Sequence, residues 1–162
     1  MRALLAALAL ITAAGCAAVK QPVSASSAAP AGAGRDTLRG IFVLEGSDPM
    51  PLAVLRTSDG RVALDDVPPD MRRLVQLDVW VRGTAEDAGR FGVQDFLVRG
   101  AGGQPAWDGT VARDADGFAL RLPDGTVHAL SGAPGAFAGL VGRRIWVVET
   151  SANTVATYGV IE

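Results

Sequence analysis

Apolar and polar residues alternate in short runs through most of the chain. In LDVWVR (residues 77–82) every second residue is aliphatic, and Trp80 and Arg82 fall between them. Successive side chains of a strand point to opposite faces, so this pattern predicts a strand with an apolar inner face. Similar runs predict a body that is mainly β. Five strands are predicted at residues 38–45, 61–64, 91–98, 126–130 and 157–161. Two more strands are predicted to end at residues 57 and 122, and two to contain Trp80 and Trp146.

The predicted strands fall into two copies of one pattern. VLRTSDGRVAL (residues 54–64) is echoed by ALRLPDGTVHAL (119–130), and LVQLDVWVRGT (74–84) by LVGRRIWVVET (140–150). Trp80 and Trp146 are 66 residues apart, and other landmarks keep nearly the same offset. Such a constant spacing indicates an internal duplication.

Each copy contains an Asp-Gly pair between two β-prone runs, at residues 59–60 and 124–125. This dipeptide predicts a hairpin with a type I′ turn, in which both central residues have positive φ. A short helix or connector follows the third strand of each copy, in PPDMRRLV (residues 68–75) and GAPGAFAGLV (132–141).

Three strands, a short helix and two strands resemble the oligonucleotide/oligosaccharide-binding (OB) fold, a five-stranded barrel. The pattern is also similar to small OB-type domains of bacterial envelope proteins. The resemblance implies two tandem OB-like barrels, residues 37–100 and 101–162. Because units of about 60 residues are marginally stable alone, the two are expected to pack together. A single β-sandwich is the alternative architecture.

The N-terminal residues have the pattern of an export signal. Arg2 precedes an apolar run from residue 3 to 14, which is too short to span a bilayer as a helix. The run ends in LITAAGC (residues 10–16), which resembles the lipobox of bacterial lipoproteins, although Ala13 stands where that family usually has leucine. The resemblance implies cleavage between Gly15 and Cys16, leaving residues 1–15 as signal peptide and acylating Cys16 with membrane lipid. The alternative is that Cys16 is a bystander in a discarded signal.

Residues 17–36 are rich in Ala, Ser, Pro and Gly, and they predict a disordered tether after the lipidated cysteine. Ala17, rather than aspartate, follows Cys16. By resemblance to lipoproteins, this implies the outer membrane, with the body facing the periplasm. A freely secreted soluble protein is the alternative.

The charge and the aromatic residues of the chain limit the classes of partner that it is expected to bind. The net charge is −2 and no basic stripe is present, so nucleic-acid binding is not expected. Trp80, Arg82, Arg144 and Trp146 are predicted to lie on the outward faces of the two fourth strands. They form a candidate binding surface on which a sugar ring, a base or a partner's side chain could stack. The alternative is that each tryptophan covers a barrel end or lies between the barrels.

The remaining candidate residues give weaker indications of a catalytic or metal site. His128, the only histidine, is predicted to be a solvated strand residue. The start of a calcium loop at Asp114 and Asp116 lacks later ligands, and a hairpin explains it better. No catalytic residue, metal or cofactor is therefore predicted.

An acidic cluster contains Asp65, Asp66 and Asp70, and it is the basis of an alternative, an envelope hydrolase. The preferred hypothesis is a lipid-anchored, non-enzymatic envelope protein that binds an envelope protein or glycan.

Overall fold

The computed structural model of the chain describes residues 36–47, 49–115, 117–150 and 154–162. The predicted signal peptide, the lipidation at Cys16 and almost all of the predicted tether lie outside these residues. Within the described part of the chain, no helix has both the length and the apolar character needed to cross a membrane.

The described residues are mainly β, as predicted, and form two sheets. The first sheet contains β1 (Asp36–Glu45), β2 (Leu52–Thr57), β3 (Gly60–Asp65), β4 (Asp78–Ala85), β5 (Arg90–Ala101) and β6 (Gln104–Pro105). Its strand order is β3-β2-β1-β4-β5-β6, and β3 also pairs with β5 in parallel. This parallel pair closes the first five strands into a barrel, called the first barrel here.

The second sheet repeats this order. It contains β7 (Trp107–Asp114), β8 (Gly117–Arg121), β9 (Val127–Leu130), β10 (Arg144–Glu149) and β11 (Val155–Val160). Its order is β11-β10-β7-β8-β9, which matches the first barrel strand for strand. A single parallel bridge between Ser131 and Thr154 stands where β3 and β5 pair in the first barrel. We call this sheet the second barrel.

Two glycines confirm the correspondence of β1 with β7. A Cβ on Gly40 would lie 2.2 Å from the carbonyl oxygen of Arg56, and one on Gly109 would lie 2.7 Å from that of Arg121. In both barrels, therefore, the first strand passes so close to the second that a side chain at this position does not fit. The close approach explains why both copies keep glycine there.

The connectors follow the prediction, but the turn type does not. Short 3-10 helices, Met71–Arg73 and Gly135–Leu140, join the third and fourth strands of each barrel. In the first hairpin the loop is Ser58 and Asp59, and positive φ occurs at Gly60 but not at Asp59. The type I′ prediction was wrong because the Asp59 N–H donates to Thr57 Oγ1 at 3.2 Å, which stabilises a different turn.

The barrels share an apolar contact. The interior of the second barrel contains Val111, Leu120, Leu130, Phe137, Ile145 and Val147. Val148 and Ile161 belong to the second barrel but pack in the core cluster of the first. The outward face of β10 is therefore buried against the first barrel.

Candidate functional site

A groove runs between the outer face of the first barrel and the β8–β9 hairpin of the second. It consists of two adjoining cavities of about 340 and 210 Å³, and Trp80, Leu97 and Pro123 line both. We call it the inter-barrel groove; its remaining lining residues are Thr37, Arg82, Asp95, Phe96, Arg99, Trp107, Asp108, Leu122 and Asp124. The larger cavity lies in the size range of small-molecule sites.

Trp80 lies in the floor of the groove because of the alternation in β4. Val79 and Val81 are buried in the barrel, and the indole of Trp80 between them is 37% exposed. Leu97 lies opposite Trp80 in the β4–β5 register. The guanidinium of Arg99 lies 4.5 Å from the centre of the Trp80 ring, in cation–π geometry.

The two arginines of the groove differ in their partners. Arg82 forms an ion pair with Asp95, its neighbour across the β4–β5 ladder. Arg99 has no carboxylate within ion-pair distance among the residues that the structure describes. The groove therefore contains one guanidinium that is stacked but not neutralised.

Trp107, the first residue of β7, is the second tryptophan of the groove. It is 38% exposed, yet its ring is held on two sides. His128 stacks on it with ring centres 4.2 Å apart and planes 25° apart. The Trp107 Nε1–H donates to Glu149 Oε2 at 2.9 Å. The ring thus has a fixed plane and a fixed edge despite its exposure.

Glu149 contacts both Trp107 and His128, so the three side chains form one cluster. Its side chain is only 7% exposed, and His128 Nε2 lies 2.7 Å from the same Oε2 atom that accepts from the indole of Trp107. The other oxygen, Oε1, is buried without a hydrogen-bond partner in the described structure. The prediction that His128 is a solvated residue was wrong: its ring is packed on Trp107 and paired with Glu149. That partner is 21 residues away, so local spacing did not reveal it.

Of the four residues predicted to form a binding surface, the structure places only Trp80 and Arg82 in the groove. Arg144 lies between the barrels, where Nε and Nη2 donate to the Asp108 carboxylate at 2.8 and 2.9 Å. Its Nη2 also donates to the Phe96 carbonyl at 2.6 Å, and its guanidinium lies 4.6 Å over the Phe96 ring.

Asp108 completes this contact, because its Oδ2 accepts the Val98 N–H at 2.8 Å. Together, Asp108 and Arg144 satisfy backbone groups of β5 in the first barrel. Burial works to lower the pKa of Arg144, but the hydrogen bonds and charge of Asp108 outweigh it, so the pKa is raised. Trp146 packs against the core of the first barrel, and its indole covers Gly159.

Two of the acidic candidates, Asp65 and Asp114, are the last residues of strands β3 and β7. Asp65 pairs with Arg90 beside the parallel β3–β5 contact, and the Arg90 guanidinium lowers the pKa of the Asp65 carboxyl. Asp114 pairs with Gly117 in the β7–β8 hairpin, which is the hairpin predicted there; Asp116 lies outside the described residues. Among the residues described, no three His, Cys, Asp or Glu side chains form a group that could hold a metal ion.

Asp124, in the β8–β9 hairpin, lines the groove. Its Oδ1 accepts hydrogen bonds from the hydroxyl and the N–H of Thr126, at 2.7 and 2.9 Å. The bond from the Thr126 hydroxyl, followed by that from its backbone, lowers the pKa of Asp124. The carboxylate is therefore ionised at neutral pH and offers Oδ2 as an acceptor.

Comparison of the chain with known protein families, curated proteins and solved structures gives no match.

Sequence reasoning missed Trp107 and Arg99 as site residues. Trp107 was not among the candidate residues, and Arg99 lies near the end of β5, beyond the strand predicted at 91–98. The exposed aromatic opening the second copy was a usable signal. Its neighbours in space, His128 and Glu149, come from two other strands.

Proposed function

We propose that this chain is a lipid-anchored, non-enzymatic binding protein of the bacterial envelope, and that its inter-barrel groove takes a glycan. The single observation that carries the groove's role is the state of Trp107, which is exposed but held in one orientation by His128 and Glu149. An aromatic ring that is fixed before binding loses little conformational entropy when a ligand stacks on it. Trp80 provides a second ring in the same cavity.

A glycan fits this groove better than a peptide strand does. Peptides commonly bind by adding a strand to a free sheet edge. The groove floor instead lies on the face of β4 and β5, where Trp80 and Leu97 are already paired in the ladder. The floor offers side chains rather than backbone groups, which suits recognition by ring stacking and side-chain hydrogen bonds.

The anchor part of the proposal rests on the lipobox resemblance at Cys16. Mass spectrometry of the mature N-terminus, from the wild type and from Cys16→Ser expressed in a bacterial host, tests it. A lipid adduct on Cys16 that is absent from the variant is expected. An unmodified N-terminus beyond residue 16 would contradict the anchor.

Binding to an envelope glycan is tested by co-sedimentation with purified peptidoglycan sacculi. The chain carrying Cys16→Ser is compared with the same chain carrying Trp80→Ala and Trp107→Ala. We expect the double variant to lose most of its sedimentation. The matched control is Val127→Ala with Val141→Ala, two exposed apolar residues that do not line the groove. Equal sedimentation of all three proteins would overturn the proposal.

A further inference from the structure

We infer that the glycan carries a carboxylate and that Arg99 is the residue that selects it. This inference rests on the proposed function of the groove and names the class of its ligand.

Arg82 is neutralised by Asp95, whereas Arg99 lacks a carboxylate partner in the described part of the chain. Arg99 is half-buried, its guanidinium is stacked on Trp80, and the residue lines the cavity that Trp107 also lines. A guanidinium presents a planar fork of donors that matches a carboxylate. An anion beside Trp80 would supply the partner that the protein does not.

The opposite wall carries the complementary group. Asp124 Oδ1 accepts two hydrogen bonds from Thr126, whereas no donor among the described residues is bonded to Asp124 Oδ2. An ionised carboxylate accepts hydrogen bonds and donates none, so it suits the hydroxyl groups of a sugar. It also repels a second acidic group, which places the ligand's carboxylate on the Arg99 side.

The cavity between these two groups is about 210 Å³ and is lined by both tryptophans. One apolar platform, one anion-binding donor and one hydroxyl acceptor are the features that an acidic sugar requires. A neutral sugar would use the platform and Asp124 but leave Arg99 without a partner.

The test is isothermal titration with two matched disaccharides, using the chain that carries Cys16→Ser. GlcNAc-MurNAc carries a lactyl carboxylate, and chitobiose (GlcNAc-GlcNAc) lacks it. We expect tighter binding of GlcNAc-MurNAc, and Arg99→Gln should weaken it by about 10- to 100-fold, the range for a hydrogen-bonded charged group. Chitobiose binding should not change. Arg99→Lys, which keeps the charge, should restore part of the difference.

The control variant is Arg72→Gln, an exposed arginine on the 3-10 helix Met71–Arg73 that lies outside the groove. It should bind both disaccharides as the wild type does. Equal affinity for the two disaccharides, with loss of both in Trp80→Ala, would overturn the role of Arg99 but leave the groove as a glycan site. Binding of neither disaccharide, or of an acidic peptide instead, would overturn the glycan ligand as well.

Discussion

The fourth strands of the two barrels, β4 and β10, carry tryptophan at the same place but use it differently. Trp80 stands on an open face, whereas Trp146 is packed against the other barrel. The residue opposite each ring on the fifth strand differs: Leu97 faces Trp80, and Gly159 faces Trp146. Without a side chain at 159, the indole of Trp146 lies against the strand.

The ion pairs beside the two tryptophans also differ in exposure. Arg39 on β1 pairs with Asp78 on β4, and Asp108 on β7 pairs with Arg144 on β10, so the signs are exchanged between the barrels. In the first pair the Arg39 side chain is 59% exposed and that of Asp78 is 23% exposed, whereas the Asp108 side chain is only 2% exposed. The comparison teaches that cross-strand neighbours, not the tryptophan itself, decide whether a duplicated strand forms a site or an interface.

The largest difference is expected from the two ion pairs. Arg144→Met leaves the buried Asp108 carboxylate without its counter-charge, which costs about 3–5 kcal/mol of unfolding free energy. Arg39→Met removes an exposed partner and should change stability little. Urea denaturation of both variants measures the two losses. Equal losses would contradict the assignment of Asp108 and Arg144 to the contact between the barrels.

Replacing each tryptophan in turn should distinguish a structural role from a binding role. Trp146→Ala removes a ring packed between the barrels and should cost about 2–3 kcal/mol, somewhat less than a fully buried aromatic. Trp80→Ala should cost less than about 1 kcal/mol, because its ring lies on the surface. Thermal and urea unfolding measure both changes. If Trp80→Ala is the more destabilising, Trp80 is a structural residue and not a ligand platform.

Glu149→Gln should disturb Trp107 without unfolding the chain. The amide keeps the shape of the side chain but loses the charge that strengthens the hydrogen bond to the indole. The indole N–H resonance of Trp107 should move, and binding of sacculi should weaken by about threefold to tenfold as the ring loses its fixed orientation. Asp87→Asn, the same acid-to-amide change at an exposed residue in the turn between β4 and β5, is the control. An unmoved Trp107 resonance would show that Glu149 does not position the ring.

The smallest effect concerns closure of the first barrel at low pH. Arg90 lowers the folded-state pKa of Asp65, so this pair contributes stability above the ordinary aspartate pKa of about 4 and loses it as pH falls through the lowered value. Asp65→Asn should therefore lower the melting temperature slightly at pH 7 and by less at pH 2. A variant that is equally destabilised at both values would contradict this linkage.

The sequence predicted most of the strands because period-two alternation and the repeat are local signals. β4 and β10 show this clearly, since Val79, Val81, Ile145 and Val147 are all buried. It also placed Trp80 and Arg82 correctly on an outward face. Alternation assigns a residue to a face but does not say what covers that face.

For that reason the sequence predicted only part of the site. Arg144 and Trp146 share the outward pattern of Asp78 and Trp80, yet the first barrel covers them. The cluster of Trp107, His128 and Glu149 joins three strands, and its members are paired only by the closure of the second barrel. The turn at Asp59 depends on a hydrogen bond that the Asp59 N–H donates to the Thr57 side chain, which dipeptide statistics do not include.

The most direct test of the central claim uses the three indole N–H resonances of the chain, one for each tryptophan. Each is assigned by a Trp→Phe variant and followed by 1H–15N NMR while GlcNAc-MurNAc is added. The account predicts that the resonances of Trp80 and Trp107 shift together and saturate at the same concentration, while that of Trp146 stays in place. Movement of Trp146 with Trp80 and Trp107 unchanged would contradict the assignment of the groove as the binding site.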